Sequence, residues 1–236
     1  MKALLYKEFK LAMHPICYVF ICLFPLMVLI PSYPLGIGFI YLLSCYPILF
    51  LGANKGQQSN DLLYSALLPI RKKDIVKARL FTVAIMQFVY IALMCALLPL
   101  AFMIQDSIIA DSIAQSGTAE TMIPGIPLEG FGSVVAIGLI GFSIADLIFF
   151  PIYYKNGKSI VMSTLLTILG FVVYLGIFTI ALPYIPVVGE GFLSIFANPN
   201  MLWAQFAFLG VALIIYAFLH LAVYKISSKR LERVDF

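Results

Sequence analysis

Residues 71–104 read RKKDIVKARL FTVAIMQFVY IALMCALLPL AFMI, a cluster of bases running into an uncharged apolar stretch. A helix needs about 20 mostly apolar residues to cross the hydrocarbon core of a bilayer, and 80–104 supplies them. The same alternation recurs on both sides of this stretch. Apolar runs at 14–31, 36–54, 80–104, 130–153, 159–183 and 202–224 predict six transmembrane helices. All 15 Lys and Arg fall on one side of those runs: Lys2, Lys7 and Lys10; Lys55, Arg71, Lys72, Lys73, Lys77 and Arg79; Lys155 and Lys158; Lys225, Lys229, Arg230 and Arg233. The opposite ends carry acids alone, namely Asp106, Asp111, Glu120, Glu129 and Glu190. Cytoplasmic loops retain Lys and Arg, so both termini are expected in the cytoplasm.

Composition agrees with this reading. The 236 residues are 63% hydrophobic and 11% charged, whereas a soluble domain carries about 25% charged residues. The net charge of +4 hides a strong asymmetry. Fifteen cytoplasmic bases against Glu8, Asp61, Asp74, Glu232 and Asp235 give +10; the outer surface holds −5, and Asp146 inside a span supplies the last −1. A basic inner face attracts anionic lipid headgroups. Orientation already accounts for the bases, so no nucleic-acid partner is expected. Cys17, Cys22, Cys45 and Cys95 lie in apolar runs without C-x-x-C spacing and read as small packing residues. The first run lacks a small-residue cleavage site, so the first span is expected to remain in the mature protein.

The connections carry the finer detail. Residues 1–14 form an amphipathic stretch, with Leu4, Leu5, Phe9 and Met13 at helical spacing and Lys2, Lys7 and Lys10 off that stripe. Such a helix lies in the headgroup plane, and Pro15 marks the turn into the first span. The prolines of Pro31-Ser32-Tyr33-Pro34 force a tight hairpin between spans one and two. In the cytoplasmic loop 55–79, Asn60 or Asp61 caps a short helix whose apolar face is Leu63, Ala66 and Leu67. Pro69 ends that helix, and Asp74 sits at the positive end of the next one. The outer loop 105–129 is polar and acidic, with a mobile-looking centre at Ala114–Ala119. Segment 184–200 mixes apolar residues with breakers, as a short interfacial or re-entrant helix would. The tail from Lys225 reads as a solvated helix terminus.

Asp146 is the one acid well inside a span, in Ser143-Ile144-Ala145-Asp146. An Asp at a helix centre costs about 2.5–3.5 kcal/mol on insertion scales, so it must face the bundle interior, a water path or a partner. A pathway-lining role and a structural hydrogen bond, to Ser143, a Tyr or backbone, both fit. His14 and His220 read as interfacial residues near helix ends, too few for a metal site. Gly157-Lys158-Ser159 ends like a phosphate-binding loop, but position 152 is Ile where that pattern needs Gly. No H-E-x-x-H or G-x-S-x-G pattern occurs, so an intramembrane hydrolase has no visible catalytic set. Pro25, Pro47, Pro99 and Pro151 interrupt spans. The small residues Gly132, Ser133, Ala136, Gly138, Gly141 and Ala145 suit close helix packing, within the chain or between subunits.

With the start Lys2-Ala3-Leu4-Leu5-Tyr6-Lys7-Glu8-Phe9, six spans, and a loop ending Leu67-Leu68-Pro69-Ile70-Arg71-Lys72-Lys73-Asp74-Ile75-Val76, the chain resembles the membrane subunit of ABC-2 type exporters with separately encoded ATPases. Leu68, Pro69, the bases Lys72 and Lys73 and the acid Asp74 match the loop pattern of that family, while Arg71 stands where a Ser or Thr cap is usual. The resemblance implies an all-α membrane protein, one permease domain over 1–236 with an N-terminal interfacial helix and a cytoplasmic coupling helix between spans two and three. It puts Asp61, Leu62, Leu63, Ala66, Leu67, Pro69, Arg71, Lys72, Lys73 and Asp74 against an ATPase, and Lys2, Leu5, Lys7, Phe9 and Lys10 along the cytoplasmic face. It implies a pair of ATPase subunits, a second permease copy or a similar subunit, a bacterial cell membrane, and ATP and Mg held by the partner, with no cofactor in this chain. The expected cargo is an amphipathic or hydrophobic peptide, then a lipid or drug-like amphiphile. The alternatives are an ion-coupled secondary transporter using Asp146 and a non-catalytic membrane scaffold.

Overall fold

The computed structural model describes residues 2–12, 15–29, 71–116, 131–156, 160–177 and 202–233, and every one of these except Arg71 and Arg233 is helical. Helix α1 (Lys2–Lys7) runs into a π-helical turn, Glu8–Ala12. Leu4 is buried and Leu5 and Phe9 half-buried, while Tyr6 and Lys10 are exposed, so the expected amphipathic segment is present. Helix α2 (Pro15–Leu23) starts on a proline, whose fixed φ and missing N–H suit the first helical position. It tightens into a 3-10 segment, Phe24–Leu29. Pro25 cannot donate back to Ile21, and the tighter winding accommodates the lost bond. The expected span 36–54, the segment 184–200 and the short helix before Pro69 lie outside the described residues.

Helix α3 (Lys72–Ser116) has 45 residues, roughly 68 Å at 1.5 Å per residue. That is about twice the hydrocarbon core, so the helix extends well past its apolar stretch. The first part of the outer loop expected over 105–129 continues this helix as far as Ser116. No Gly or Pro occurs between Leu100 and Ser116 to stop the helix, and Ala114 to Ser116, read as mobile, are helical. Pro99 is absorbed without ending it. Helices α4 (Phe131–Asn156), α5 (Ile160–Gly176) and α6 (Leu202–Glu232) follow. Lys72–Ile104, Phe131–Lys155 and Leu202–Glu232 are long and apolar enough to cross a membrane, and Met162–Gly176 is a shorter apolar helix. The tail continues α6 as helix to Glu232, as a helix terminus would, but it is solvated only in part, since Ser227, Ser228 and Leu231 are buried.

Helix directions follow from paired residues. Arg79 meets Tyr153 and Gln87 meets Asp146, so α3 and α4 are antiparallel. Asp146 lies beside His220, and Arg230 beside Pro151, so α4 and α6 are parallel. The Tyr174 hydroxyl donates to the Ile137 carbonyl at 2.8 Å, and Gly170 abuts Ile148, which makes α5 antiparallel to α4. The starts of α3 and α5 and the ends of α4 and α6 therefore gather at one end of the bundle, with Lys72, Lys73, Lys77, Lys155, Lys225 and Lys229 around it.

Helix α4 occupies the centre: 72% of its apolar window is buried, against 28% for α3 and 17% for α6. Its small residues explain this placement. Ser133, Ala136 and Ala145 are fully covered, a Cβ on Gly132 would come within 3.3 Å of Gln205, and one on Gly141 would lie 2.6 Å from Phe171 and 3.0 Å from Tyr174. These positions serve contacts within the chain. Towards the basic end, bulk takes over, with Phe149 stacked on Tyr153 and Phe150 on Tyr154 along one turn each. The outer face of α6, with Trp203, Phe206, Ile214, Phe218 and Leu221, is apolar and exposed.

Overpacking a tight contact costs about 1–3 kcal/mol. Gly141→Leu is therefore expected to lower the thermal unfolding temperature of the detergent-solubilised chain clearly. Gly210→Ala, where no atom lies within 4 Å of the added carbon, should leave it unchanged or slightly raised, and equal effects of the two would contradict the α4–α5 packing.

Candidate functional site

Among the described residues, two buried polar clusters join helices distant in sequence. The first sits at the basic end. Glu8, on the π turn after α1, is buried, and Arg79, one residue before the uncharged run of α3, is buried with it. The Arg79 Nε donates to Glu8 Oε2 at 2.9 Å, and its Nη2 reaches Glu8 Oε1 at 3.5 Å, a two-pronged ion pair. A third guanidinium hydrogen goes to the Tyr153 hydroxyl at 3.2 Å. The planar fork of arginine suits this arrangement as lysine's point charge would not. It attaches the amphipathic N-terminal segment to α3 and α4 together.

The second cluster lies deeper, roughly 12 Å along α3 from Arg79. Asp146 is fully buried. Gln87 Nε2 donates to Asp146 Oδ2 at 3.1 Å, and the Tyr216 hydroxyl donates to Gln87 Oε1 at 2.5 Å. His220 Nε2 lies 3.1 Å from the same Asp146 oxygen. The contact is close but lacks the alignment of a hydrogen bond. His220 stacks on Tyr216 with ring centroids 4.0 Å apart, and its Nδ1 meets the Tyr216 carbonyl at 3.1 Å. Three helices thus contribute one connected polar chain inside apolar surroundings.

Asp146 faces the bundle interior, one of the placements its cost demanded. Gln87 and His220 are among its partners, whereas the Ser143 hydroxyl donates to the Leu139 carbonyl of its own helix at 2.8 Å. His220 is corrected from an interfacial residue near a helix end to a member of this interior cluster, well within α6. Gln87, Tyr216, Glu8 and Arg79 were not singled out from the sequence. A polar amide within an apolar run, and Tyr216 four residues before His220 on one helical face, were the available signals.

Of the residues assigned to ATPase contact by resemblance, Asp61, Leu62, Leu63, Ala66, Leu67 and Pro69 lie outside the described residues, as does Gly157-Lys158-Ser159. Arg71 is exposed, and its carbonyl accepts from the Asp74 N–H at 2.8 Å, closing the turn that opens α3. Asp74 is in the first turn, as expected for the helix dipole. Lys72 is half-buried, and Lys73 pairs with Glu232 at 3.2 Å, an exposed bridge worth under about 1 kcal/mol. In the N-terminal segment Lys2 opens α1, Lys7 closes it, and Lys10 donates to the Tyr6 hydroxyl at 2.7 Å. Leu5 and Phe9 are half-buried. Among the described residues no group of three or more His, Cys, Asp or Glu could hold a metal ion. The chain matches no protein-family model, no curated protein and no solved structure.

Removing one partner of a buried ion pair costs about 3–5 kcal/mol, because the other charge is left uncompensated. Arg79→Met is expected to destabilise by that order and to release the N-terminal segment, read as faster tryptic cleavage after Lys7 and Lys10. The double variant Glu8→Gln with Arg79→Met should recover part of the loss. Double and single variants of equal stability would show that the pair contributes nothing.

Proposed function

We propose that this chain is the membrane subunit of an ATP-driven exporter of the ABC-2 type, with six spans, both termini in the cytoplasm of a bacterial cell, and a separately encoded ATPase. The observation that carries this reading is the buried Glu8–Arg79 pair. It joins the amphipathic segment before the first span to the foot of the helix that directly follows loop 55–79. The resemblance places the loop at the ATPase and the N-terminal segment along the cytoplasmic face, and a rigid link between them lets a push on the loop reach the spans. The force has a stiff route inward, since α3 is continuous from Lys72 past Gln87. The gathering of bases at one end of the bundle supports the orientation.

ATPase closure would act on the Leu63, Ala66 and Leu67 face, move the foot of α3 and tilt it against α4. ATP and Mg belong to the partner. Two permease copies, or this chain and a similar one, would enclose the path, and the apolar outer faces of α5 and α6 suit cargo that enters from the inner leaflet, an amphipathic peptide first and a lipid or drug-like amphiphile next. Asp146 is engaged by Gln87 and His220 and fully enclosed, which fits a fastener between spans better than the lining of an ion path.

Pull-down from gently solubilised membranes, followed by an ATPase assay, tests the assignment. A co-purifying ATPase is expected, and Leu63→Asp with Leu67→Asp should reduce its recovery at least tenfold while the permease remains folded. Failure of any ATPase to associate with the intact wild-type chain would overturn the reading.

A further inference from the structure

We propose that the outer face of α6 is a binding site for an anionic phospholipid, with the acyl chains on Ile214, Phe218 and Leu221 and the phosphate held by Lys225 and Lys229. The spacing of these residues puts them together. Steps of four, three, four and four positions keep all five within about 80° of one another around a helix of 3.6 residues per turn. All five are exposed, the three apolar ones by 60%, 67% and 59%. The same face carries Trp203 near the start of α6. No Asp, Glu, Lys or Arg lies between Trp203 and Lys225. That stretch measures roughly 33 Å along the axis, close to the hydrocarbon thickness of about 30 Å. Lys225 thus falls where the hydrocarbon ends, and Lys229 one turn further out, at the level of headgroup phosphates. Trp203 falls at the opposite boundary, where the amphipathic indole is favoured.

Charge decides what covers this face. Several cations at the basic end are met within the chain: Arg79 pairs with Glu8, Lys73 with Glu232, and Arg230 donates to the Pro151 carbonyl at 2.6 Å. Among the described residues no group accepts from the ammonium of Lys225 or Lys229. Lys155, exposed in the last turn of α4, adds to the same local field. It stands nine residues beyond Asp146, as Lys229 stands nine beyond His220, so the parallel helices carry both lysines to one level. A second copy of the chain is disfavoured on this face, because copies side by side in one membrane orientation would set Lys225 and Lys229 against their own counterparts. A zwitterionic lipid covers the apolar part but brings a cation of its own to the lysines. A phospholipid of net negative charge meets both requirements. Two ammonium groups one turn apart, about 6 Å along the axis, can both donate to one phosphate in charge-assisted bonds. The bound lipid fixes the depth of α6 and, through Arg230, that of α4.

This site is independent of the exporter assignment, and its test needs no ATPase. Trp203 is the single tryptophan, so the full chain carrying Trp203→Phe and Phe218→Trp has one indole, on the proposed face. It is placed in phosphatidylcholine nanodiscs holding a fixed fraction of lipid with brominated chains, either phosphatidylglycerol or phosphatidylcholine. Bromine quenches an indole only in near contact. Stronger quenching by phosphatidylglycerol is expected, equivalent to a local preference of about fivefold or more, the contribution of one lysine beside an anionic headgroup. Lys225→Gln with Lys229→Gln should abolish the preference, and Lys225→Arg with Lys229→Arg should keep it. Lys10→Gln with Lys77→Gln, an equal loss of exposed charge elsewhere at the basic end, should also keep it. Equal quenching by the two lipids, or the same loss in both glutamine pairs, would overturn the site. Quenching by neither lipid would show that protein covers the face, and would overturn it as well. Excess inorganic phosphate at constant ionic strength should leave the preference intact; its abolition would make the ligand a free phosphate and overturn the lipid.

Discussion

A carboxyl group placed inside a bundle of apolar helices has to be met by polar groups from its neighbours, and the arrangement of α3, α4 and α6 depends on that requirement. Asp146 sits on the most enclosed helix, where water is excluded and an unpaired carboxylate would cost several kcal/mol. Gln87 and His220 both meet its Oδ2, and Tyr216 extends the chain through Gln87. Apolar side chains alone would tolerate rotation or sliding of such helices. A chain of polar contacts tolerates far fewer registers, because sliding one helix past another breaks its links.

The two polar clusters divide the labour along α3. Near its foot, Arg79 holds the N-terminal segment through Glu8 and touches α4 through Tyr153. Further in, Gln87 ties the same two helices to α6. Between them the helix has Val83 and Met86 packed in the core and Thr82 bonded to its own backbone, so the two ties are joined by a stiff rod. Motion at the basic end therefore reaches the interior as a tilt of a whole helix. In an exporter that property couples nucleotide-driven movement to the transport path, and in any membrane protein it couples the headgroup region to the core.

Small residues set how closely that rod and its neighbours approach. Gly141 lets the rings of Phe171 and Tyr174 lie against the α4 backbone, and Gly132 does the same for Gln205. In lipid, where apolar side chains gain little by leaving the tails, such close contact and interhelical hydrogen bonds supply much of the association energy. The paired tyrosines and phenylalanines at the other end of α4 are buried and stacked on one another.

By itself the sequence determined the helical class, the places of the long apolar helices and the end of the bundle that carries the bases, since length, hydropathy and the distribution of Lys and Arg are local properties. It also located the cost, an acid in an apolar helix, and the amphipathic start. Element ends were less legible: α3 and α6 run past their apolar stretches because no breaker stops them, a matter of helix continuation that hydropathy does not measure. Only the tertiary structure decided the partners. Whether Asp146 meets Ser143, Gln87 or His220, and whether Glu8 faces lipid headgroups or Arg79, depends on which helix faces are turned together. A partner far along the chain, as Arg79 is from Glu8, leaves no periodicity for sequence reasoning to detect.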